Sequence, residues 1–487
     1  MTVCIKVDKF MSQNLKHKTI TGVIWSSFEQ FSVSGIQFLV LVIMARLLTP
    51  SDYGLVAMLQ IFIAVSQSLI NSGFSQALIR KVDRTQSDLS TVFYFNIIVG
   101  LILYAILFVC APFIARFYSA PELVNITRVV ALGLLFNSIT VVQRTLLTIE
   151  INFKKQAKAT LVSAIVSGII GISLAYYGFG VWAIVAQQIS NLGLNALILW
   201  LISHWRPVGV FSMQSFRELF GFGSRLLVSG LIDTLYRNMY LIVIGKGFSK
   251  ADLGYYTRAH QFSDFPAASL TGIFQRVTYP VLCTMQSDNA KLASNYRRLL
   301  RLVAYIIFPI MIGLAALSKP LVLLLLKEQW LFTADLLMII CISMMFYPIH
   351  AINLNLLQVE GRSDLFLRLE IIKKIIGIAI LCITIPMGLI AMCIGQIFSS
   401  VICLAVNTHY TGELIQIGFA AQMKDLLPTL FLSFSMGAIV FIVSTFVASN
   451  ILQLVLGVFI GVLYYIVISY FFNIYEFKEF ISLISKR

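Results

Sequence analysis

Long apolar stretches recur along this 487-residue chain, joined by links too short to fold alone. A helix needs about 20 apolar residues to cross the hydrocarbon of a bilayer. Fourteen stretches approach or exceed that length: 20–44, 55–78, 90–114, 123–147, 157–177, 181–203, 219–244, 255–283, 299–318, 331–356, 367–386, 389–409, 428–448 and 451–472. In lipid every backbone N–H and C=O must be satisfied within its own segment, so such stretches become helices. Charged residues make up only 12% of the chain, against about 25% in a soluble domain. The expected fold is an all-α polytopic membrane protein with about fourteen transmembrane helices. The first stretch is too long for a signal-peptide core and lacks a small-residue cleavage site, so it counts as a span.

The basic residues test this reading. With the N-terminal tail placed in the cytoplasm and the spans alternating, inner segments hold 24 Lys and Arg residues and outer links hold 6. The inner clusters include Lys6 to Lys18, Arg80 to Arg84, Lys154 to Lys158, Lys291 to Arg301, Arg362 to Lys374, and Lys478 to Arg487. The outer ones are Arg46, Arg116, Lys246, Lys250, Lys319 and Lys327. Short cytoplasmic loops carry the excess of Lys and Arg, so both termini are expected inside. The same partition accounts for the net charge of +15 without nucleic acid as a partner.

A hairpin motif appears twice. Ala45–Gly54 reads A-R-L-L-T-P-S-D-Y-G, and Gly245–Gly254 reads G-K-G-F-S-K-A-D-L-G. Thr49, Asp52 and Gly54 align with Ser249, Asp252 and Gly254. Further on, Leu146–Glu150 is echoed by Leu356–Glu360, and Gly178 by Gly388. Such self-similarity marks a repeated unit. Spans 1–6 (20–203) and spans 7–12 (219–409) are read as two copies, joined by a cytoplasmic linker (204–218). Six spans is an even number, so both copies enter from the same side: parallel repeats with a binding site expected at their interface. Residues 1–19 form a cytoplasmic tail and 428–472 add spans 13 and 14. The interfacial linker 410–427 and the tail 473–487 include two expected amphipathic helices, Thr411–Leu427 and Tyr475–Arg487, the latter with Phe477, Phe480, Ile481 and Ile484 on one face. Both would lie at the membrane interface as anchors.

Polar residues within spans fall on faces. A polar face on a membrane helix must look at protein or water. In span 1, Ser26, Gln30, Ser34 and Gln37 share one side with Glu29 beside them, within roughly 80° at 3.6 residues per turn. Gln60, Gln67, Asn71 and Ser75 share a side of span 2, and His260, Thr271 and Gln275 take the equivalent places of Gln60, Asn71 and Ser75 in span 8, joined there by Asp264. In span 7, Arg225, Ser229, Asp233 and Arg237 step by four, and Asp233 and Arg237 form an i,i+4 pair. These faces of spans 1, 2, 7 and 8 are expected to wall one wet cavity. Pro266 in span 8 invites a kink.

Six arginines remain outside that inner and outer partition, all inside spans: Arg128, Arg144, Arg225, Arg237, Arg258 and Arg276. Charges buried in membrane spans are costly and mark function by default. Arg225, Arg237, Arg258 and Arg276 sit on the expected cavity helices, so the cavity should attract anions, although Arg225, Arg258 and Arg276 are near enough to span ends to snorkel. His260 is read as a wall residue, because no Cys, Asp or Glu set stands at ligand spacing. The seven cysteines form no framework; six lie in or at the edges of apolar runs, where they are expected as small buried hydrophobes. Phosphate loops, nucleophile elbows and metal-protease motifs are absent, and no cofactor or metal is expected.

The runs A-R-L-L-T-P-S-D-Y-G-L-V-A, N-S-G-F-S-Q-A-L-I-R, G-F-G-V-W-A-I-V-A-Q-Q, L-G-Y-Y-T-R-A-H-Q-F and V-T-Y-P-V-L together resemble the polysaccharide transporter family. The likeness is to its colanic-acid and teichuronic-acid exporter branch, within the multidrug/oligosaccharidyl-lipid/polysaccharide flippase superfamily. It covers essentially the whole chain. The resemblance implies two six-helix lobes around a V-shaped cationic cavity, in the inner membrane of a bacterium. It implies a flippase rather than an enzyme, carrying undecaprenyl-diphosphate-linked oligosaccharide repeat units for O-antigen, capsule or exopolysaccharide. The implied partners are that lipid-linked substrate, membrane lipids, a polysaccharide polymerase and other assembly proteins. On this reading Arg225, Arg237, Arg258 and Arg276 bind the diphosphate, and the polar faces of spans 1, 2, 7 and 8 take the sugars. A cation-coupled multidrug exporter of the same superfamily would want an acidic site. A polysaccharide polymerase or ligase would want a large outer loop. The cavity read here is arginine-rich with few carboxylates, and the longest outer links are about a dozen residues.

Overall fold

A computed structural model describes residues 32–71, 73–150, 152–209, 211–286 and 288–479, and among them every regular element is helical. In chain order the helices are α1 (Ser32–Leu47), then α2 (Pro50–Asn71), α3 (Phe74–Arg80), α4 (Gln86–Phe117), α5 (Leu123–Val130), α6 (Leu132–Ser138), α7 (Val141–Ile149), α8 (Phe153–Tyr176) and α9 (Val181–Ile202). There follow α10 (Met213–Arg237), α11 (Met239–Gly247), α12 (Lys250–Cys283), α13 (Asn289–Ala316), α14 (Ser318–Leu326), α15 (Leu331–Met344) and α16 (Tyr347–Val359). The last four are α17 (Ser363–Thr384), α18 (Leu389–Ile415), α19 (Phe419–Thr445) and α20 (Asn450–Phe471).

Among the described residues, 11 helical segments are long and apolar enough to cross a membrane, and each coincides with an expected span. The other three expected spans fall on α1, of which residues 32–47 are described, and on α12 and α17. Neither of those two is among the 11; α12 carries Arg258, Asp264 and Arg276, and α17 carries Arg368, Glu370, Lys373 and Lys374. The architecture is compatible with fourteen spans.

Several expected spans are broken. Gly73, at φ 69°, separates α2 from α3, a left-handed conformation that glycine adopts without strain. Expected span 4 becomes α5, α6 and α7, and span 10 becomes α15 and α16. Conversely, α12 runs on through Pro266 and Pro280, so Pro266 does not interrupt the helix. Thr411–Leu427 is no separate amphipathic helix. It is the last turn of α18 and the first turns of α19, joined through Gln416 in the left-handed region. Of Tyr475–Arg487 only the turn over 475–479 is described; Phe480, Ile481 and Ile484 lie outside the described residues.

The chain gathers into two compact units, divided after Gly254. In the first, both copies of the hairpin motif prove to be helix starts. Thr49 Oγ1 donates to Asp52 Oδ2 at 2.7 Å while Asp52 N–H donates back to Thr49 Oγ1 at 3.3 Å. Ser249 and Asp252 repeat this at 2.7 and 3.1 Å. Each is a capping box that satisfies otherwise orphaned N–H groups of the following helix. The glycine two residues later serves a close approach. A Cβ at Gly54 would lie 1.8 Å from the Lys250 carbonyl oxygen, and one at Gly254 would lie 2.0 Å from that of Pro50. The first turns of α2 and α12 thus press backbone to backbone in a reciprocal contact. Lys250 also pairs with Glu122 at 2.9 Å, and Lys246 donates to the Phe117 carbonyl at 2.5 Å. The Glu122 carboxyl is held below the usual glutamate range by its own backbone N–H and by Lys250.

At the opposite end of this unit the linker of expected boundaries 204–218 is strapped to α4. Val208 N–H donates to Ser90 Oγ at 3.0 Å and Ser212 N–H to Thr91 Oγ1 at 2.9 Å. Trp205 Nε1–H donates to Gln86 Oε1 at 2.7 Å, and Lys81 bridges Glu218 and Asp88 at 2.9 and 3.1 Å. Phe74, Phe93, Trp205 and Leu219 form the apolar core beneath.

In the second unit α13, α19 and α20 share a core around Tyr305, Met436 and Tyr465. Tyr305 O–H donates to Ser469 Oγ at 2.7 Å, and Tyr465 O–H donates to the Tyr305 carbonyl at 2.9 Å. Arg297 holds Asp425 of α19 through two bonds, at 2.7 and 2.6 Å. Arg298 and Arg301 pair with Glu479 and Glu476, docking the turn over 475–479. Expected spans 13 and 14 are therefore integral to this unit.

Gly54→Ala and Gly254→Ala should each destabilise the protein by about 1–3 kcal/mol or more, because a methyl overlaps main chain that cannot rotate away. Gly221→Ala on α10, which would meet no atom within 4 Å, should be neutral or stabilising by up to about 1 kcal/mol through helix propensity. Thermal unfolding in detergent separates the two signs.

Candidate functional site

The expected cavity-lining residues are distributed over both units. Ser26, Glu29 and Gln30 lie outside the described residues; of the same stripe, Ser34 on α1 is half-buried and Gln37 exposed. On α2, Gln60 and Asn71 are exposed and Gln67 half-buried. On α10 the side chain of Arg225 lies outside the described set. Asp233 and Arg237 do pair, Oδ2 to Nε at 2.8 Å, with Arg237 largely exposed and Asp233 half-buried. So the arginine charge of this helix is partly neutralised on its own face.

Arg258, His260, Asp264, Thr271, Gln275 and Arg276 belong to the second unit, on α12. Arg258 is half-buried and donates from Nη1 to Gln261 Oε1 at 2.7 Å. His260 lies near the Tyr256 ring, with centroids 5.9 Å apart, and Asp264 is half-buried. Gln275 Nε2 donates to Asn355 Oδ1 of α16 at 3.5 Å, and Asn355 donates on to Thr278 Oγ1 at 3.4 Å. Thr271 is buried and spends its hydroxyl on the Ala267 carbonyl at 2.6 Å. It is therefore a satisfied helix residue with no donor left to offer a ligand. Arg276 is exposed.

The structure also joins residues that the polar stripes did not group. In the first unit a cavity of about 380 Å³ is lined by Gln67, Asn71 and Ser75 from the expected face together with Asn137, Arg144 and Asn195. Gln60 does not line it. Arg144 Nη2 donates to Asn195 Oδ1 of α9 at 3.1 Å. The signal was present in sequence: Asn137, Thr140 and Arg144 recur at helical spacing, although α6 and α7 are separate helices. Arg128, by contrast, stacks on the Phe108 ring at 4.4 Å and belongs to packing. In the second unit His350 of α16 lies between Ser400 Oγ and Asn407 Nδ2 of α18, at 3.1 and 3.0 Å. Asn353 and Gln422 exchange amide bonds at 3.2 and 3.1 Å. This polar seam binds α16, α18 and α19 to one another. Among the described residues no cluster of His, Cys, Asp and Glu could hold a metal ion.

Eleven helical segments apolar enough to span a membrane, with no soluble domain among the described residues, define a class, the polytopic helical membrane proteins. Solved structures agree on the fold. The lipid II flippase MurJ in an inward closed conformation matches 93% of this chain and 99% of its own, with a TM-score of 0.75 and 16% identity. An inward-facing multidrug resistance MATE transporter of the MOP superfamily matches 81% of this chain and 99% of its own, at 0.62 and 15%. The family itself is shown by sequence: residues 43–335 match the polysaccharide biosynthesis protein family, and the chain belongs to it. The teichuronic acid biosynthesis protein TuaB of Bacillus subtilis (strain 168) is 25% identical over 438 residues, covering 88% of this chain and 90% of that one. The lipopolysaccharide biosynthesis protein WzxC of Escherichia coli (strain K12) is 23% identical over 441 residues, covering 88% and 89%. The succinoglycan biosynthesis transport protein ExoT of Rhizobium meliloti (strain 1021) is 26% identical over 334 residues, covering 68% of each chain.

Because Asp233 and Arg237 pair with both side chains at least partly exposed, Asp233→Asn should change stability by less than about 1 kcal/mol. Thermal unfolding of the purified variant checks this; a large loss would mean that the pair is shielded from water.

Proposed function

We propose that this protein is an inner-membrane flippase for oligosaccharide repeat units carried on undecaprenyl diphosphate, moving them from the cytoplasmic to the outer leaflet by alternating access. One observation carries the reading: a member of the polysaccharide biosynthesis family keeps Arg225, Arg237, Arg258 and Arg276 along its membrane helices α10 and α12, of which Arg237 pairs with Asp233. Arginine suits this task, since its planar fork binds phosphate oxygens in pairs and stays charged at any depth. Arg225, Arg237, Arg258 and Arg276 receive the diphosphate. Ser26, Glu29, Gln30, Ser34, Gln37, Gln60, Gln67 and Asn71 on the first copy, with Asp233, His260, Asp264 and Gln275 on the second, face the sugars. The lipid tail remains in the bilayer throughout, so only the polar head must be sheltered.

Both termini lie in the cytoplasm, which places the hairpins Ala45–Gly54 and Gly245–Gly254 at the outer surface. Their backbone contact then acts as the outer gate, and breaking it releases the head group outward. The bodies that move are the lobes 20–203 and 219–409. A negative-inside potential favours outward passage of an anion by about 2.3 kcal/mol per charge per 100 mV. Flipped units then serve a polysaccharide polymerase at the outer face. An exporter of cationic drugs would need acidic groups where arginines stand here.

Replacing Arg225, Arg237 and Arg258 together with alanine should abolish flipping while leaving membrane insertion intact. The measurement is the amount of lipid-linked intermediate on each leaflet in cells. Export at the wild-type rate would rule out the arginine clamp.

A further inference from the structure

The cavity beside Arg144 has the chemistry of a sugar site, and it lies on residues that the arginine clamp does not use. Two kinds of group there can reach a ligand. Side-chain amides come from Gln67 and Asn71 on α2, Asn137 on α6 and Asn195 on α9, and one guanidinium comes from Arg144. The hydroxyls of Thr140, Thr145 and Thr148 also line the cavity but donate to backbone carbonyls. Each amide offers a donor and an acceptor side by side, which matches the paired hydroxyls of a pyranose ring. Phe136 adds an aromatic ring to the lining, and its face suits the C–H face of a sugar. The volume, about 380 Å³, falls in the range of about 300–1,000 Å³ typical of small-ligand sites.

The charge narrows the ligand further. Among the described lining residues there is no carboxylate, so a cation would find no counter-charge in them. A diphosphate would want several cations, and among the described lining residues Arg144 is the one cation. One guanidinium held by Asn195 Oδ1 at 3.1 Å fits one carboxylate, which it can bind with a charge-assisted pair of hydrogen bonds. We infer that this cavity is a recognition subsite for an acidic sugar of the transported glycan, in which Arg144 takes the carboxylate and the surrounding amides take the hydroxyls. The inference rests on the flippase reading for the glycan to be cargo.

The test uses the full chain in lipid nanodiscs and two probes, a glucuronyl-glucose disaccharide and its neutral glucosyl-glucose counterpart. Ligand-observed NMR titration should show the acid bound roughly tenfold or more tighter than the neutral sugar, the size expected for one charge-assisted hydrogen-bonded contact. Arg144→Gln, which keeps a hydrogen-bonding side chain beside Asn195 but removes the charge, should erase that preference, and Arg144→Lys should restore part of it. Equal binding of the two sugars by the wild type, or an unchanged preference in Arg144→Gln with a native-like melting curve, would overturn the assignment. Flipping of a fluorescent lipid-linked saccharide by wild-type proteoliposomes judges the transporter reading separately. A wild type that flips but shows no acid preference defeats the subsite alone. One that shows the preference, lost in Arg144→Gln, yet flips nothing upholds the subsite and defeats the transporter reading.

Discussion

Hydrocarbon offers no hydrogen bonds, and most of this architecture follows from that. Backbone groups are satisfied inside helices, and several buried Ser and Thr hydroxyls turn back to their own helix. Thr145 donates to the Val141 carbonyl at 2.8 Å, Ser163 to that of Ala159 at 2.8 Å, and Ser433 to that of Thr429 at 2.8 Å. Side chains with more capacity than their own helix can absorb need partners on another one. The amides of Asn353 and Gln422 find each other, and His350 finds Ser400 and Asn407. Such contacts set which helices can be neighbours, because an unsatisfied amide away from water costs more than an imperfect apolar contact.

The two hairpins show how one short motif can carry two structural duties. The Thr/Ser and Asp pair closes the N-terminus of a long helix, and the glycine two residues on removes the side chain that would keep two backbones apart. Both duties occur in both copies, and the contact is reciprocal: Gly54 faces Lys250 and Gly254 faces Pro50. A backbone-to-backbone contact of this kind has little side-chain entropy to lose on forming.

In the transport reading the polar groups divide into those committed to structure and those left for cargo. Thr271 is buried and bonded to its own helix, and Arg128 is stacked on Phe108. Gln60 and Gln37 are exposed. The Arg144 cavity lies between these extremes, polar and partly enclosed, with its one charge already oriented by Asn195. Enclosure raises the worth of each polar contact above its value in water.

Membrane class, helix positions and the repeated hairpin were legible in the chain itself, because span length, basic-residue asymmetry and self-similarity are local properties. The same reading named the Asp233–Arg237 pair, which needs only an i,i+4 spacing on one helix. What tertiary structure alone decided is which faces meet. Span 4 breaks into α5, α6 and α7, which turns Asn137 and Arg144 toward Gln67 and Asn71 and brings Asn195 of α9 alongside. Helical periodicity places residues around one axis and says nothing about a neighbouring axis. Likewise Thr411–Leu427 looks amphipathic by itself, yet Gln422 and Asp425 point to Asn353 and Arg297, so packing drew it into two long helices. The segment's polar side was written for a partner helix, and one sequence carries no mark that distinguishes such a partner from water.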